Sequence, residues 1–510
     1  MDSYDGLHVY YGDLHNHCGI SYGRGSLDDA LRNAREQLDF CSVTGHALWP
    51  DMPAPTPEIE HIVAFHERGF ARLREVWDEV QDVTAAFHKE GEFVTFLSFE
   101  MHSCADGDRT ILYKGARGEI LEVSGLAELH SRLRALREAG VEVIAFPHHI
   151  AYKRGQRGIN WATFDPSLEP VVEVVSMHGC GVADEGPRPF LHTMGPSDHE
   201  STMAYGLAQG HVFGVIGSTD HHSAHPGSHG HGRTGLWAEA KSRAAIWDAL
   251  WARRTYALTG DRIELATTIN GHPMGAVLDQ ANRREIAFDV VAGAPIDYVD
   301  VLKNGELLRR WSSCDMRTAQ LPNNGLVHTK LTLELGWGAR GRPVAWDVTF
   351  GISEGQILSV EPRFHGPELL APPETNEQER GFFVSHWDAD GERQVQFSTV
   401  TFGNPNTVTP ATQSICLEVE MPAEAEVLAE INGRREVLPL GMLMAGARAG
   451  RLGLIDSPAY RFHRAPRWSE LAWRGIYHDL PSVARETDIY TVRVRQVNDQ
   501  WAWSSPIWVR

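Results

Sequence analysis

The sequence predicts an α/β first half followed by a β-rich second half, and three observations carry that division. Through residue 260, short apolar β-prone runs alternate with amphipathic helical segments, the pattern of a parallel sheet or barrel. Six of those runs stop at a histidine or an acidic residue. Beyond Gly260 the helical spacing gives way to alternating strand-like pieces, several of them separated by the turn signals Asn270-Gly271, Asn304-Gly305, Asn323-Asn324-Gly325 and Asn432-Gly433.

The six runs, in order, close on Asp13-Leu14-His15-Asn16-His17, Thr44-Gly45-His46, Phe99-Glu100, Pro147-His148, Ser176-Met177-His178 and Asp220-His221-His222. Between them the spacing predicts helices over 26–36, where Ser26 caps with Asp29 three residues on, over 58–89, over 125–139 and over 243–253. In the second half, strands are predicted over 264–270, 285–291, 298–303, 330–335, 344–351, 489–495 and 501–509, which reads as a β-sandwich. Residues 363–485 are irregular, with a loop expected at Ala371-Pro372-Pro373-Glu374-Thr375-Asn376-Glu377. The expected organisation is a catalytic unit over 1–260 and a sandwich-like unit over 261–510, with 363–485 either an insertion in it or a third unit.

A chain of 510 residues exceeds one hydrophobic core, and a 42% apolar fraction supplies enough material for two. The net charge of -20 argues against nucleic acid and anionic membranes as partners, so a small-molecule substrate is expected, with a homo-oligomer left open. No run of eighteen apolar residues occurs and Met1-Asp2-Ser3-Tyr4-Asp5 has no signal-peptide character, which points to the cytoplasm. The six cysteines are scattered without a Cys-x-x-Cys pair, the usage of reduced thiols. Cys18, Cys41, Cys104 and Cys180 lie near candidate ligands, but small buried side chains outweigh thiolate ligands as their reading.

Histidines concentrate the chemistry in the first half: 20 of 26 lie at or before His231. Strand side chains alternate with period two, so His15 and His17 share a face and can meet one ion, and Asp220 with His222 repeats the geometry. Imidazoles and carboxylates at strand ends are donors for Zn, Mn or Fe. One His-x-His pair is a weak signal. Two such pairs, with four further strand ends carrying ligand types, are not.

The ordered set Asp13-Leu14-His15-Asn16-His17, Leu38 to His46, Glu100, Pro147-His148, Ser176-Met177-His178-Gly179 and Gly217-Ser218-Thr219-Asp220-His221-His222 resembles the PHP superfamily of polymerase-associated and histidinol phosphatase domains, from about Gly6 to Gly260. Arg254-Thr255-Tyr256-Ala257-Leu258-Thr259-Gly260 and Ala502-Trp503-Ser504-Ser505-Pro506-Ile507-Trp508-Val509 are similar to a bacterial branch in which a β-rich domain follows. The resemblance implies a distorted seven-stranded βα barrel with two or three metals. His15, His17 and Asp220 would hold the first ion, Glu100 would bridge to a second held by His148 and His178, and His46 with His222 would belong to a third. Two departures deplete that third site: Tyr22 stands where the family run Ser-Asp-Gly has its carboxylate, and Gly45-His46 replaces an Asp-His pair. Two divalent ions are therefore expected, with a third only if water, substrate or another side chain completes its shell.

Two divalent ions about 3.5 to 4 Å apart lower the pKa of a shared water toward 7 and supply a hydroxide nucleophile. His46, His222 and Tyr22, relieved of ligation, are candidates to protonate a leaving group or hold an oxyanion, weighed against a third metal or orientation of a ligand. Strand alternation turns His149 and His221 away from the centre and leaves Glu173 a supporting acid. Arg109, Lys114, Lys153, Arg154, Arg157 and Arg188 follow strand ends, where one or two would grip an anionic substrate. Trp49, Tyr152 and Trp161 suit an apolar pocket wall. His225-Pro226-Gly227-Ser228-His229-Gly230-His231 reads as a mobile lid or exposed turn. No Gly-rich nucleotide cradle occurs. The expected function is a metal-dependent hydrolase, on a phosphoester first and on a carboxylic ester, carbamate or amide second. A non-catalytic metal-binding or scaffold module is the rival of another class, and the complete ligand set argues against it.

Overall fold

The computed structural model of the chain describes residues 1–279, 282–316, 325–337, 342–367, 383–402, 412–480 and 486–510. The loop expected at 371–377, and Asn323-Asn324 of one turn signal, lie outside the described residues. The fold is mixed α/β with a β-rich C-terminal region.

The helices form where spacing and caps demand. Leu27–Gln37 starts at Ser26, whose Oγ accepts the Asp29 amide at 3.0 Å, satisfying one of the free N–H groups of the first turn. Glu60–Phe87 buries Val63, Phe70, Leu73, Trp77 and Val80, residues three, four or seven apart that make one apolar face. Leu126–Glu138 and Arg243–Trp251 complete the main helices of the first half.

The strands of that half are not all parallel. Thr44–Leu48 pairs parallel to Leu97–Met101, which pairs antiparallel to Arg109–Tyr113, which in turn pairs antiparallel to Val143–Pro147. The Arg109–Tyr113 strand interrupts the parallel pattern that the sequence led us to expect, because it returns as a hairpin through Asp106-Gly107. A three-stranded sheet holds Gly214–Gly217, Val171–Ser176 and Gly179–Cys180. A third sheet runs from Val94–Thr95 through Phe40–Cys41, His8–Asp13 and Arg233–Ala238 to Thr255–Leu258. The chain thus changes sheet between Cys41 and Thr44, and again between Thr95 and Leu97. All three sheets feed one apolar cluster containing Phe40, Val94, Leu112, Ile144, Phe146, Val171, Ile216 and Leu236.

The third sheet continues past Thr255–Leu258 into Trp501–Ser504, Asp488–Gln496 and Ile296–Lys303. Residue 260 therefore follows a strand whose sheet is shared by both ends of the chain. A four-stranded sheet including Glu264–Ile269, Arg284–Val291 and Ala472–Asp479 packs with it around Phe288, Val299, Trp473 and Val492. Two five-stranded antiparallel sheets, drawn from Leu326–Gly336 to Ala459–Phe462, share a separate core containing Leu333, Trp346, Phe350, Phe397, Leu417 and Phe462. The strands at 330–335 and 344–351 thus belong to different sheets from those at 264–303 and 489–509.

The segment His225–His231 is neither exposed nor a free lid. Ser228 is fully buried, the His229 amide donates to the Phe364 carbonyl at 2.9 Å, and the Gly366 amide donates to Ser228 Oγ at 3.0 Å. Gly227 packs closely on Leu38, whose side chain a Cβ there would meet. Among the described residues no helix is long and apolar enough to cross a membrane.

Candidate metal centre

Asp13 at the end of strand His8–Asp13 organises the first part of the site. Its buried carboxylate accepts the amides of His15 (3.2 Å), Thr219 (3.2 Å) and Gly227 (2.8 Å) and the Thr219 hydroxyl (2.5 Å). The two ligand-bearing segments are then stitched together, His17 N to His221 O and Asp220 N to His15 O, both at 2.8 Å. Asp220 adopts a left-handed backbone (φ 51°), which carries its carboxylate toward His15 and His17.

His15 Nδ1 donates to Glu173 Oε2 at 2.9 Å and His17 Nδ1 donates to the Thr44 carbonyl at 2.6 Å. Both acceptors take an Nδ1–H, so each ring turns its Nε2 inward. Those two Nε2 atoms lie 3.1 Å apart. His17 Nε2 is 3.0 Å from Asp220 Oδ1, and His15 Nε2 is 3.6 Å from it. Glu100 Oε2 stands 3.3 Å from His15 and 3.4 Å from His17. Lone pairs and carboxylate oxygens at such spacing require a shared cation, either a proton or a metal ion. Burial alone would lower the pKa of His15, but Asp220 and Glu173 override it and hold it well above the ordinary value.

The same tethering recurs around the centre. His46 Nδ1 meets Ser21 Oγ (3.0 Å), His148 Nδ1 meets Thr110 Oγ1 (3.1 Å), and His178 Nδ1 meets the Tyr152 hydroxyl (2.7 Å). Each has its Nε2 facing a carboxylate: His46 at 3.6 Å from Glu100 Oε2, His148 at 3.2 Å from Glu100 Oε1, and His178 at 2.9 Å from Asp220 Oδ2. Anchored Nδ1 and inward Nε2 is the arrangement that orients metal-ligating imidazoles. Glu100 is itself split between two sets of rings, Oε2 toward His15, His17 and His46, and Oε1 toward His148 and His102. Although burial opposes its ionisation, His46, His102 and His148 keep its carboxyl well below the usual carboxylate range. His222 Nδ1 donates to the Asp220 carbonyl at 2.8 Å and its side chain keeps 13% exposure. Burial and the neighbouring His17 push its pKa down to about 3, so it is neutral at pH 7.

Every sequence-predicted ligand falls in this cluster: His15, His17, His46, Glu100, His148, His178, Asp220 and His222. Their partners differ in one respect, since His178 sits on Asp220 and not beside His148. Four donor groups have atoms within 4.8 Å of one another: His15, His17 and Asp220; His17, His46 and His222; His46, Glu100 and His102; and Glu100, Asp108, His148 and His149. Three of the four combine N and O donors, and the members of all four are buried or nearly so.

Tyr22 fills the space beside His46. Its ring stacks on that imidazole with centroids 3.6 Å apart, and its hydroxyl donates to His102 Nε2 at 2.7 Å. A side chain at Gly69 would run into the Tyr22 ring, so that glycine makes room for the tyrosine, and one at Gly45 would run into Leu73 of helix Glu60–Phe87, which leaves no room for a carboxylate at position 45. Burial and Glu100 hold the Tyr22 phenol well above its ordinary pKa.

Three groups were missed or misread. His149 does not turn away: its backbone is left-handed (φ 31°), strand alternation ends at Pro147, and Nε2 reaches Asp108 Oδ2 at 3.3 Å. His102 follows Glu100 by two residues, the same alternation as His15 and His17, and was legible on that ground. Asp108 lies just after the Asp106-Gly107 turn signal at the base of the unexpected hairpin. Of the basic candidates, Arg109 is fully buried in an ion pair with Glu169 and Lys114 pairs with Glu142, whereas Arg157 contacts Asp108 and His102. His221 does turn away from the centre, its Nδ1 meeting Ser223 Oγ at 3.0 Å. The cysteines are free, and none enters a donor group.

A family model described as a protein of unknown function (DUF3604) matches residues 227–271. An uncharacterized protein of Chlamydia pneumoniae is 26% identical over 256 residues, 46% of this chain and 40% of its own length. Uncharacterized proteins of Chlamydia trachomatis and Chlamydia muridarum are 28% identical over 327 residues, 59% of this chain and 48% of theirs. The chain thus spans under half the length of the curated relatives it matches. Among solved structures, a two-domain protein from Bacteroides vulgatus containing a predicted PHP-like metal-dependent phosphoesterase aligns at 14% identity and a TM-score of 0.31, over 64% of this chain and 83% of that one. The lesion-specific endonuclease EndoQ of Pyrococcus furiosus aligns at 12% identity and a TM-score of 0.27, over 48% and 56%. At such scores the chemistry of the centre rests on its own donors.

Proposed function

We propose that this chain is a metal-dependent hydrolase of the PHP superfamily, a distorted βα barrel joined to a β-rich C-terminal domain, and that its centre takes two divalent ions and cleaves a phosphoester. The observation that carries this reading is the pair of inward-facing Nε2 atoms of His15 and His17, 3.1 Å apart and facing Asp220 and Glu100. Bound Zn, Mn or Fe ions would acidify water and polarise the scissile group. The ordered motifs shared with the PHP superfamily make a phosphoester the first substrate class.

The chain's own residues divide the remaining work. Glu173, Thr44, Ser21, Thr110 and Tyr152 hold the rings in place through Nδ1. Tyr22 stacks on His46, and both rings are buried, with His46 Nε2 facing Glu100. His222 is the catalytic candidate that reaches the mouth. With its proton fixed on Nδ1 by the Asp220 carbonyl, its Nε2 can accept a hydrogen bond at neutral pH, while a pKa of about 3 leaves it a weak base and speaks against its serving as the acid that protonates a leaving group.

A second reading, hydrolysis of a carboxylic ester, carbamate or amide, is favoured by one observation. Arg109 and Lys114 are spent in ion pairs away from the centre, which removes two of the six basic candidates for holding a phosphate dianion. The test is a screen of metal-reconstituted protein against phosphomonoesters, phosphodiesters, carboxylic esters and carbamates, with Asp220→Ala as blank. Phosphoester turnover is expected. Turnover confined to carbonyl substrates overturns the substrate class, and protein that binds no metal and turns nothing over overturns the enzyme.

A further inference from the structure

We infer that the second ion is held by Asp108 and His149 together with Glu100 and His148, and that Arg157 occupies this locus as a tethered cation when the ion is absent. This rests on the proposed metal-dependent reading and changes its ligand set, since the family pattern assigns His178 and neither Asp108 nor His149.

The donors converge on one place. Glu100 Oε1 lies 3.2 Å from His148 Nε2 and 3.1 Å from His102 Nδ1. Asp108 Oδ2 lies 2.8 Å from His102 Nδ1, 3.3 Å from His149 Nε2 and 4.0 Å from His148 Nε2. All four proposed ligands are buried, with ligand atoms within 4.8 Å of one another. Asp108 is aimed by its other oxygen, which accepts the Ser103 amide at 2.9 Å. His149 Nδ1 is buried without a hydrogen-bond partner, so Nε2 at this locus is what orients the ring. His178 faces the opposite half of the centre, 2.9 Å from Asp220.

Two buried carboxylates so close need positive charge, and Arg157 provides it. Its Nε donates to Asp108 Oδ2 at 2.8 Å, Nη2 lies against the same oxygen, and Nη2 is 3.9 Å from Glu100 Oε1. The side chain remains 16% exposed, and its guanidinium lies over Trp49 at the rim, so it has a path outward. A divalent ion and a guanidinium compete for the same two oxygens, and the buried setting strengthens both attractions.

The test is metal stoichiometry and affinity, measured by equilibrium dialysis with Mn²⁺ and elemental analysis. Wild type should bind two ions, and Asp108→Asn and His149→Gln one each with the first affinity retained. Arg157→Ala, which removes the competitor, should tighten the weaker ion about tenfold, equivalent to about 1.4 kcal/mol. Two ions of unchanged affinity in both Asp108→Asn and His149→Gln would overturn the ligand assignment. Unchanged or weaker binding in Arg157→Ala would overturn the competition, and decides the matter should the Asp108 and His149 variants fail to fold. Wild type without bound Mn²⁺, Zn²⁺ or Fe²⁺ would instead overturn the metal-dependent reading itself.

Discussion

Asp220 and His221 are adjacent, yet they enter two different groups of buried histidines. Around Asp220, imidazoles anchored through Nδ1 point Nε2 at two carboxylates. Around His221, the rings of His225, His229, His231 and His365 gather at the seam with the C-terminal sheets, His221 against His231 at 5.3 Å and His229 against His365 at 5.2 Å. There the partners are main-chain carbonyls, a hydroxyl and a single acid: Ser223 O for His225, Thr412 O for His365, Ser223 Oγ for His221, and Asp261 for His229. All the candidate metal groups found among the described residues fall in the first cluster. Histidine density alone therefore does not make a metal site. Converging carboxylates and inward-facing lone pairs do.

The contrast can be broken most forcefully at Glu100. Replacing it with Gln removes the charge that both halves of the centre share, and should lower metal content and cut kcat/KM by more than about 100-fold, the upper range for loss of a supporting group. Glu173→Gln keeps every ligand but weakens the anchor on His15. Its metal affinity should fall about 10- to 100-fold, read by competition with a chromogenic chelator.

The seam histidines should respond to acid. Burial lowers the pKa of His225 to about 4 and that of His365 well below its ordinary value, so both stay neutral in the fold while the unfolded chain takes up protons near pH 6.5. Stability from each is intact above about pH 6.5 and is lost as pH falls from there toward the folded-state value. At pH 5.5 the loss is about 1.4 kcal/mol for His225. Urea midpoints of metal-free protein should drop between pH 7.5 and 5.5, and His225→Gln should flatten that dependence. The smallest effect belongs to Tyr22→Phe, which deletes one buried hydrogen bond to His102 and should cost about 1 kcal/mol of stability while leaving the ion count at two.

The first half of the centre was legible because alternation in a strand is a local rule. It places His15 beside His17, and applied to Glu100 it also places His102. The other half depends on features without period. Asp108 enters through a hairpin whose strand Arg109–Tyr113 carries a buried arginine, and His149 through a left-handed residue after Pro147. In the second half the strands were legible but their partition was not. Arg284–Val291 pairs with Ala472–Asp479, and Ile296–Lys303 with Asp488–Gln496, contacts nearly 200 residues apart that no turn signal records.

The central claim is that the anchored imidazoles and shared carboxylates hold divalent ions that perform hydrolysis. Elemental analysis of wild type and Glu100→Gln, purified side by side and dialysed against Mn²⁺, tests it most directly. The geometry predicts two ions per chain in wild type and a clear loss in the variant. Equal metal content in the two proteins, or none in wild type, would contradict it.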